Sequence, residues 1–141
     1  MFGQRLATSV TVLQWVEHRL ENRRMTYELV LGTGSNLSKG VLSYDPVRVQ
    51  WNLKQQTFTM PPGGGIIRCF SCIDVSYDGI FIFVGTTGGE VLTFRRDTCV
   101  FRACIPVCTN GVKGIVTLPG DRLLCGGGDG SVLVLEGSDM S

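Results

Sequence analysis

One pattern constrains this chain more than any other. Val84-Gly85-Thr86-Thr87-Gly88-Gly89-Glu90-Val91-Leu92 returns 41 residues later as Cys125-Gly126-Gly127-Gly128-Asp129-Gly130-Ser131-Val132-Leu133, and the register runs back without a gap through Asp78-Gly79 and Pro119-Gly120. A period of about 40–45 residues, built from short apolar runs and Gly-rich turns, is that of four strands forming one propeller blade. A chain with this period is either a small closed domain or a slice of a ring.

The clearest unit spans residues 70–107. Residues 71–76 read as a short strand ending at the turn Tyr77-Asp78-Gly79. Residues 80–84 form an apolar run rich in β-branched and aromatic side chains, suited to a strand covered on both faces. Residues 86–89 close a hairpin whose glycines can take positive φ. Residues 90–94 return, 95–98 turn, and 99–105 make a fourth strand. The next unit repeats this plan: strands at 112–118, 122–126 and 131–135, with turns at 119–121 and 128–130. The chain then reaches Glu136-Gly137-Ser138-Asp139 before a fourth strand can form.

The first 68 residues fit less cleanly. Residues 9–15 read as a strand, although Val12, Trp15, Val16 and Leu20 are also close to helical spacing. The strand is preferred because Tyr27-Glu28-Leu29-Val30-Leu31-Gly32-Thr33-Gly34 matches the second strand and turn of the later units. Residues 47–53 then match a third strand and 56–60 a fourth. On this alignment residues 35–46 are an insertion on one rim, and 61–65 are a loop into the next unit. The expected fold is all-β: about two and three-quarter blades of four-stranded antiparallel meanders, divided at about 6–64, 65–107 and 108–137. An open stack leaves uncovered strand edges, so the remaining blades, or other copies of the chain, are needed to cover them.

Composition excludes several functions. Thirteen basic residues against twelve acidic give no field to attract nucleic acid or anionic membrane. The pairs Arg23-Arg24 and Arg95-Arg96 read as solvated turns. No run of 18 apolar residues suggests a membrane-spanning helix, and the N-terminus lacks a signal-peptide pattern. These features lead to an expected cytosolic chain whose six cysteines are reduced thiols.

Three segments resemble WD40 repeats. Cys72-Ile73-Asp74-Val75-Ser76-Tyr77-Asp78-Gly79 resembles their strand-and-turn core, Gly128-Asp129-Gly130-Ser131-Val132-Leu133-Val134 their hairpin into the third strand, and Arg48-Val49-Gln50-Trp51-Asn52-Leu53 the stretch bearing their Trp-Asp pair. The resemblance covers nearly the whole chain and implies a WD40-like propeller acting as a non-catalytic interaction scaffold. A narrower likeness comes from the order of residues 82–92, Asn110-Gly111-Val112 and residues 121–130, which resembles the WD-repeat proteins of cilia and flagella. That likeness implies a structural component of the doublet microtubules in the axoneme, with tubulin and neighbouring axonemal proteins as partners. A general WD40 adaptor in a cytosolic signalling or assembly complex is the alternative. The departures are specific. The Trp-Asp position holds Trp51-Asn52, Phe94-Arg95 and Leu135-Glu136, and no Gly-His pair is present. The family's His–Asp network therefore cannot form, and the expectation is that apolar packing holds the blades together.

No residue is assigned a catalytic role, and no cofactor or metal is expected. Cys69-x-x-Cys72 and Cys104-x-x-x-Cys108 have spacings that zinc sites use. Each pair lies in or beside a strand, however, where residues three apart point to opposite faces. Cys72 and Cys125 sit in apolar runs as small hydrophobes. His18, the one histidine, lies among Glu17, Arg19 and Glu21 with no nucleophile motif nearby. Gly32-Thr33-Gly34-Ser35-Asn36-Leu37-Ser38-Lys39-Gly40 has the wrong order for a phosphate loop. Asp78, Asp121 and Asp129 fall at turns, whereas Asp74 lies inside a strand, pointing away from Ile73 and Val75. The candidate partner-binding residues are Asn36, Lys39, Tyr44 and Asp45, on the expected rim insertion.

Overall fold

The computed structural model describes Gly3, Leu6 and residues 9–60 and 69–137. Eleven strands form three antiparallel meanders in chain order, with no helix among the described residues. The first sheet holds β1 (Val10–Glu21), β2 (Arg24–Thr33), β3 (Asn36–Asp45) and β4 (Gln50–Thr57). The second holds β5 (Phe70–Val75), β6 (Phe81–Thr86), β7 (Glu90–Arg95) and β8 (Phe101–Pro106). The third holds β9 (Val112–Leu118), β10 (Arg122–Gly127) and β11 (Val132–Glu136). The first strand of each meander is innermost: β1 packs on β5, and β5 packs on β9.

The period-2 alternation of side chains explains why the sheets stack. In β6, Ile82 and Val84 face the first sheet while Phe83 faces the third. In β7, Leu92 and Phe94 face the first sheet and Val91 faces the third. The second sheet is therefore covered on both faces, as its continuous apolar runs require. One core, between the first two sheets, joins Val30, Leu37, Phe58, Phe70, Ile73 and Phe94. Phe58 meets Phe94 edge-on at 5.1 Å, and Phe94 meets Phe101 at 6.0 Å. The other core joins Val112, Ile115, Leu123 and Cys125 to Phe83 and Val91. Each large apolar side chain buried this way is worth about 1.5–3 kcal/mol.

The first sheet corrects the sequence reading in two places. The strand expected at residues 9–15 is present from Val10, but β1 runs on to Glu21. It pairs with β2 as far as Glu21↔Arg24, where Asn22 and Arg23 close the hairpin at φ 49° and 64°. Residues 35–46 are not a rim insertion. Gly34 and Ser35 make a two-residue turn (Thr33↔Asn36), and residues 36–45 are β3 itself. The fourth strand is consequently residues 50–57, not 56–60, and residues 46–49 are its turn rather than the start of a third strand. The reason is strand length. β1, β2 and β3 have 12, 10 and 10 residues against 6 in β5, β6 and β7. A template taken from the short blades slips by one strand when laid on the long one. The loop expected at residues 61–65 lies outside the described residues.

Candidate functional site

The long strands carry the first sheet past the others. Counted from the equivalent starts Val10↔Thr33 and Phe70↔Thr86, Trp15 (opposite Leu29) holds the register position of Val75 (opposite Ile82), where β5 ends. Beyond that level β1 and β2 continue as a projecting hairpin, with β3 and β4 alongside. Its inner face still meets the second sheet through Glu17 and Glu28, which pair with Arg96, while Leu20, Met25 and Trp15 on the other face are exposed.

That face carries a chain of rings. Trp15 lies 5.8 Å from His18, His18 lies 6.4 Å from Tyr27, and Tyr27 lies 6.3 Å from Trp51, which lies 5.1 Å from Tyr44. The register accounts for it: His18 is opposite Tyr27, and Tyr44 is opposite Trp51. At the projecting end, Tyr27, Tyr44, Trp51 and Met25 wall a cleft of about 300 Å³, with Arg23 and Arg24 at its edge. Leu20, Val47 and Val49 are exposed around it. Val49 also holds φ 52°, an outlier for a β-branched residue. Exposed apolar and aromatic side chains thus gather at this end of the first sheet beside two arginines.

The four residues expected to bind partners do not converge. Asn36 sits exposed at one end of β3, while Tyr44 and Asp45 sit at the other. Tyr44 lines the cleft. Asp45 accepts hydrogen bonds from the Val47 and Arg48 N–H groups at 3.0 and 3.3 Å and pairs with Arg24 at 3.4 Å, which fixes the tip of the projecting hairpin. Lys39 points inward, and its Nζ donates to the Arg96 carbonyl oxygen at 3.0 Å across to the second sheet. Tyr27 and Met25 are not among the expected partner-binding residues, and Trp51 enters the sequence reading only as the Trp of the Trp-Asp position. The signal was their cross-strand pairing, which a shifted register conceals.

Arg96 also departs from expectation. It is no solvated turn residue: its guanidinium pairs with Glu28, which is 6% exposed, and with Glu17, while Arg19 stands 3.8 Å from Glu28. Arg95 does face solvent and pairs with Asp97 at 2.8 Å. The sheets are thus tied by charge as well as by apolar packing. Between the second and third sheets, Asp74 and the Ser71 hydroxyl make equivalent ties, Ser71 donating to the Val112 carbonyl. Asp74 points away from Ile73 as its alternation requires, but toward the next sheet.

The cysteines are spread over both junctions. Cys69 is exposed and Cys99 and Cys125 are buried. Cys104 donates to Glu90 Oε2 at 2.9 Å, and Cys108 donates to the Gly111 carbonyl at 3.3 Å. Burial, with Cys72 and Cys108 nearby, pushes the Cys125 thiol up to about 11. Among the described residues, no three His, Cys, Asp or Glu side chains gather as a metal-holding group. A second cleft, of about 270 Å³, opens between the second and third sheets. It is walled by Tyr77, Phe81 and Phe83, and Thr93 lines it with a buried hydroxyl that finds no hydrogen-bond partner among the described residues.

No protein-family model matches the sequence, and no curated protein matches it with significance. Solved structures do match. The chain is similar to the RRP9 WD40 repeats (TM-score 0.62, 15% identity, 98% of this chain and 38% of that one). It is similar to the β-propeller domain of Myceliophteria thermophila Cps50 (Swd1) (TM-score 0.63, 11% identity, 93% and 42%). It is also similar to a chain of the Mitotic Checkpoint Complex (TM-score 0.56, 13% identity, 79% and 31%). At these identities the likeness is one of fold: the chain is a partial β-propeller of WD40 type. It spans between 31% and 42% of these matched chains.

Proposed function

We propose that the chain is a non-catalytic interaction scaffold that docks protein partners on the projecting end of its first sheet. The observation that carries this reading is the cleft of Tyr27, Tyr44 and Trp51, which is aromatic, rimmed by Arg23 and Arg24, and outside the junctions between sheets. Aromatic and arginine side chains are the usual anchors of protein interfaces. The neighbouring WD40-type folds include a chain of a multiprotein complex, which supports a protein partner in general.

The finer reading is axonemal. The order of residues 82–92, 110–112 and 121–130 resembles the first propeller of cilia- and flagella-associated protein 52, and it makes tubulin and doublet-microtubule proteins the proposed partners. Two measurements test the two levels separately. Trp51→Ala should weaken capture of the partner by about 30-fold, from the loss of roughly 2 kcal/mol at an aromatic anchor; unchanged capture removes the cleft from the interface. Tagged protein in ciliated cells should give an axonemal signal that survives detergent. A diffuse signal, with subunits of soluble complexes co-purifying instead of tubulin, would replace the axonemal role by that of a cytosolic adaptor.

A further inference from the structure

The two junctions between sheets repeat one contact. At the first, Phe70 opens β5 against Gly32 of β2, where an added Cβ would lie 3.2 Å from the Phe70 Cβ. At the second, Val112 opens β9 against Gly85 of β6, where an added Cβ would lie 2.7 Å from Val112 Cγ1. Glycine is required at both because the next sheet's leading side chain occupies the space. Gly126 holds the same place in β10: Gly85 is opposite Cys72 in β5, and Gly126 is opposite Gly114 in β9. An added Cβ at Gly126 meets nothing within 4 Å. The third sheet therefore ends in a notch of the same design, open to solvent.

The chain also carries a spare side chain to fill it. Phe70 is opposite Thr86 and Val112 is opposite Gly127; in the first sheet the matching position is Val10, opposite Thr33. Phe70 is 2% exposed and Val112 0%, but Val10 is 49% exposed. The neighbouring positions match as well. At the second junction, Asp74 (opposite Phe83) meets Thr117 (opposite Leu123). The corresponding positions on the two open faces are Val116 (opposite Leu124) and Trp15 (opposite Leu29), both half-exposed and both apolar. Leu13 flanks Trp15, and Val132 and Val134 flank Val116, all exposed. A polar tie inside the chain is replaced by an apolar pair on its outer faces.

We propose that copies of this chain associate head to tail. The outer face of the first sheet of one copy, led by Val10, seats on the outer face of the third sheet of the next, with Val10 in the Gly126 notch and Trp15 on Val116. The contact continues an interface the chain already makes twice internally. It is heterologous, so each added copy leaves one face open until a ring closes.

Sedimentation velocity on the whole chain and two variants tests this. Gly126→Val places side-chain atoms in the notch from a Cβ that meets nothing within 4 Å, and Val10→Asp spoils the leading side chain. The wild type should form dimers and larger species as concentration rises, and each variant alone should be monomeric. An equal mixture of the two variants should form a complex of two chains and stop there, because only the intact notch of one and the intact Val10 of the other can meet. If Gly126→Val loses its strand signal by circular dichroism, Val116→Glu on the same face replaces it. A wild type that stays monomeric at every concentration overturns the proposal; its open faces would then take some other occupant. Association that survives both variants also overturns it, as does a mixture that remains monomeric. Trp51→Ala, outside this contact, should self-associate like the wild type, which separates this proposal from the partner cleft.

Discussion

Asp74 and Thr117 join the second and third sheets through one carboxylate oxygen. The Thr117 backbone N–H donates to Asp74 Oδ2 at 2.9 Å, and the Thr117 hydroxyl donates to the same oxygen at 3.3 Å. The other oxygen accepts from the N–H of Val75 at 2.8 Å, which holds the carboxylate in place. Replacing Asp74 by Ala strands the Thr117 N–H at a half-buried junction. Hydrogen bonds to a charged group contribute about 1.5–3 kcal/mol, so Asp74→Ala should lower the urea midpoint by that amount of stability. A midpoint within error of the wild type would show that packing alone holds this junction.

Gly85 and Gly126 occupy equivalent positions with opposite surroundings, so the same substitution should separate them. An added Cβ at Gly85 would lie 2.5 Å from Cys72 Sγ and 2.7 Å from Val112 Cγ1. Overpacking of this kind costs about 1–3 kcal/mol. Gly126→Ala has open space and should stay within about 0.5 kcal/mol of the wild type. Both are read by thermal or denaturant melting at a concentration where the chain is monomeric. Equal effects at the two sites would contradict the stacked arrangement of the sheets.

Asp129 should make the fold acid-sensitive. Its carboxylate accepts from the Ser131 hydroxyl and N–H and from the Thr109 N–H and hydroxyl. Those bonds hold it well below the ordinary value of 3.8. Because the folded value is the depressed one, the contribution is fully present above the ordinary value and is lost as pH falls from there through the folded value. Asp78 is lowered in the same direction, chiefly by the Ser76 hydroxyl and the Ile80 N–H. Melting temperature should therefore fall below pH ~4, and Asp129→Asn should flatten that fall. An unchanged acid slope in the variant would assign the sensitivity elsewhere.

The thiols should label in order of burial. Cys69 is exposed, whereas Cys125 is buried and pushed up to about 11, with little thiolate at pH 8. Alkylation of the native chain followed by peptide mass mapping should modify Cys69 first and Cys125 only after unfolding. Early modification of Cys125 would mean that the third sheet opens readily from the second.

Much of this was legible in the residues. The second and third meanders follow the sequence reading within a residue or two, because Gly-rich turns such as residues 87–89 and 128–130 punctuate short apolar runs. In the first meander the sequence reading ends β1 at residue 15 instead of Glu21 and slips by a strand from residue 35 onward; its first hairpin turns on Asn22-Arg23, without a glycine. Nothing in a periodic template announces that one blade has strands nearly twice as long. Arg96 looked like one of a pair of turn arginines, and only the approach of Glu28 and Glu17 from the first sheet makes it an interior cation.

The sequence alone determined that the chain would be β-structure in repeated meanders, since strand alternation and turn glycines are local and act within each hairpin. The tertiary structure decided which glycines are notches, which carboxylate becomes a tie and which rings form a surface. Those outcomes depend on the register between strands and on the sheet that lies against each face. Neighbours along the chain do not fix either one: Gly85 and Gly126 sit in nearly the same local sequence, yet one is filled by Val112 and the other faces solvent.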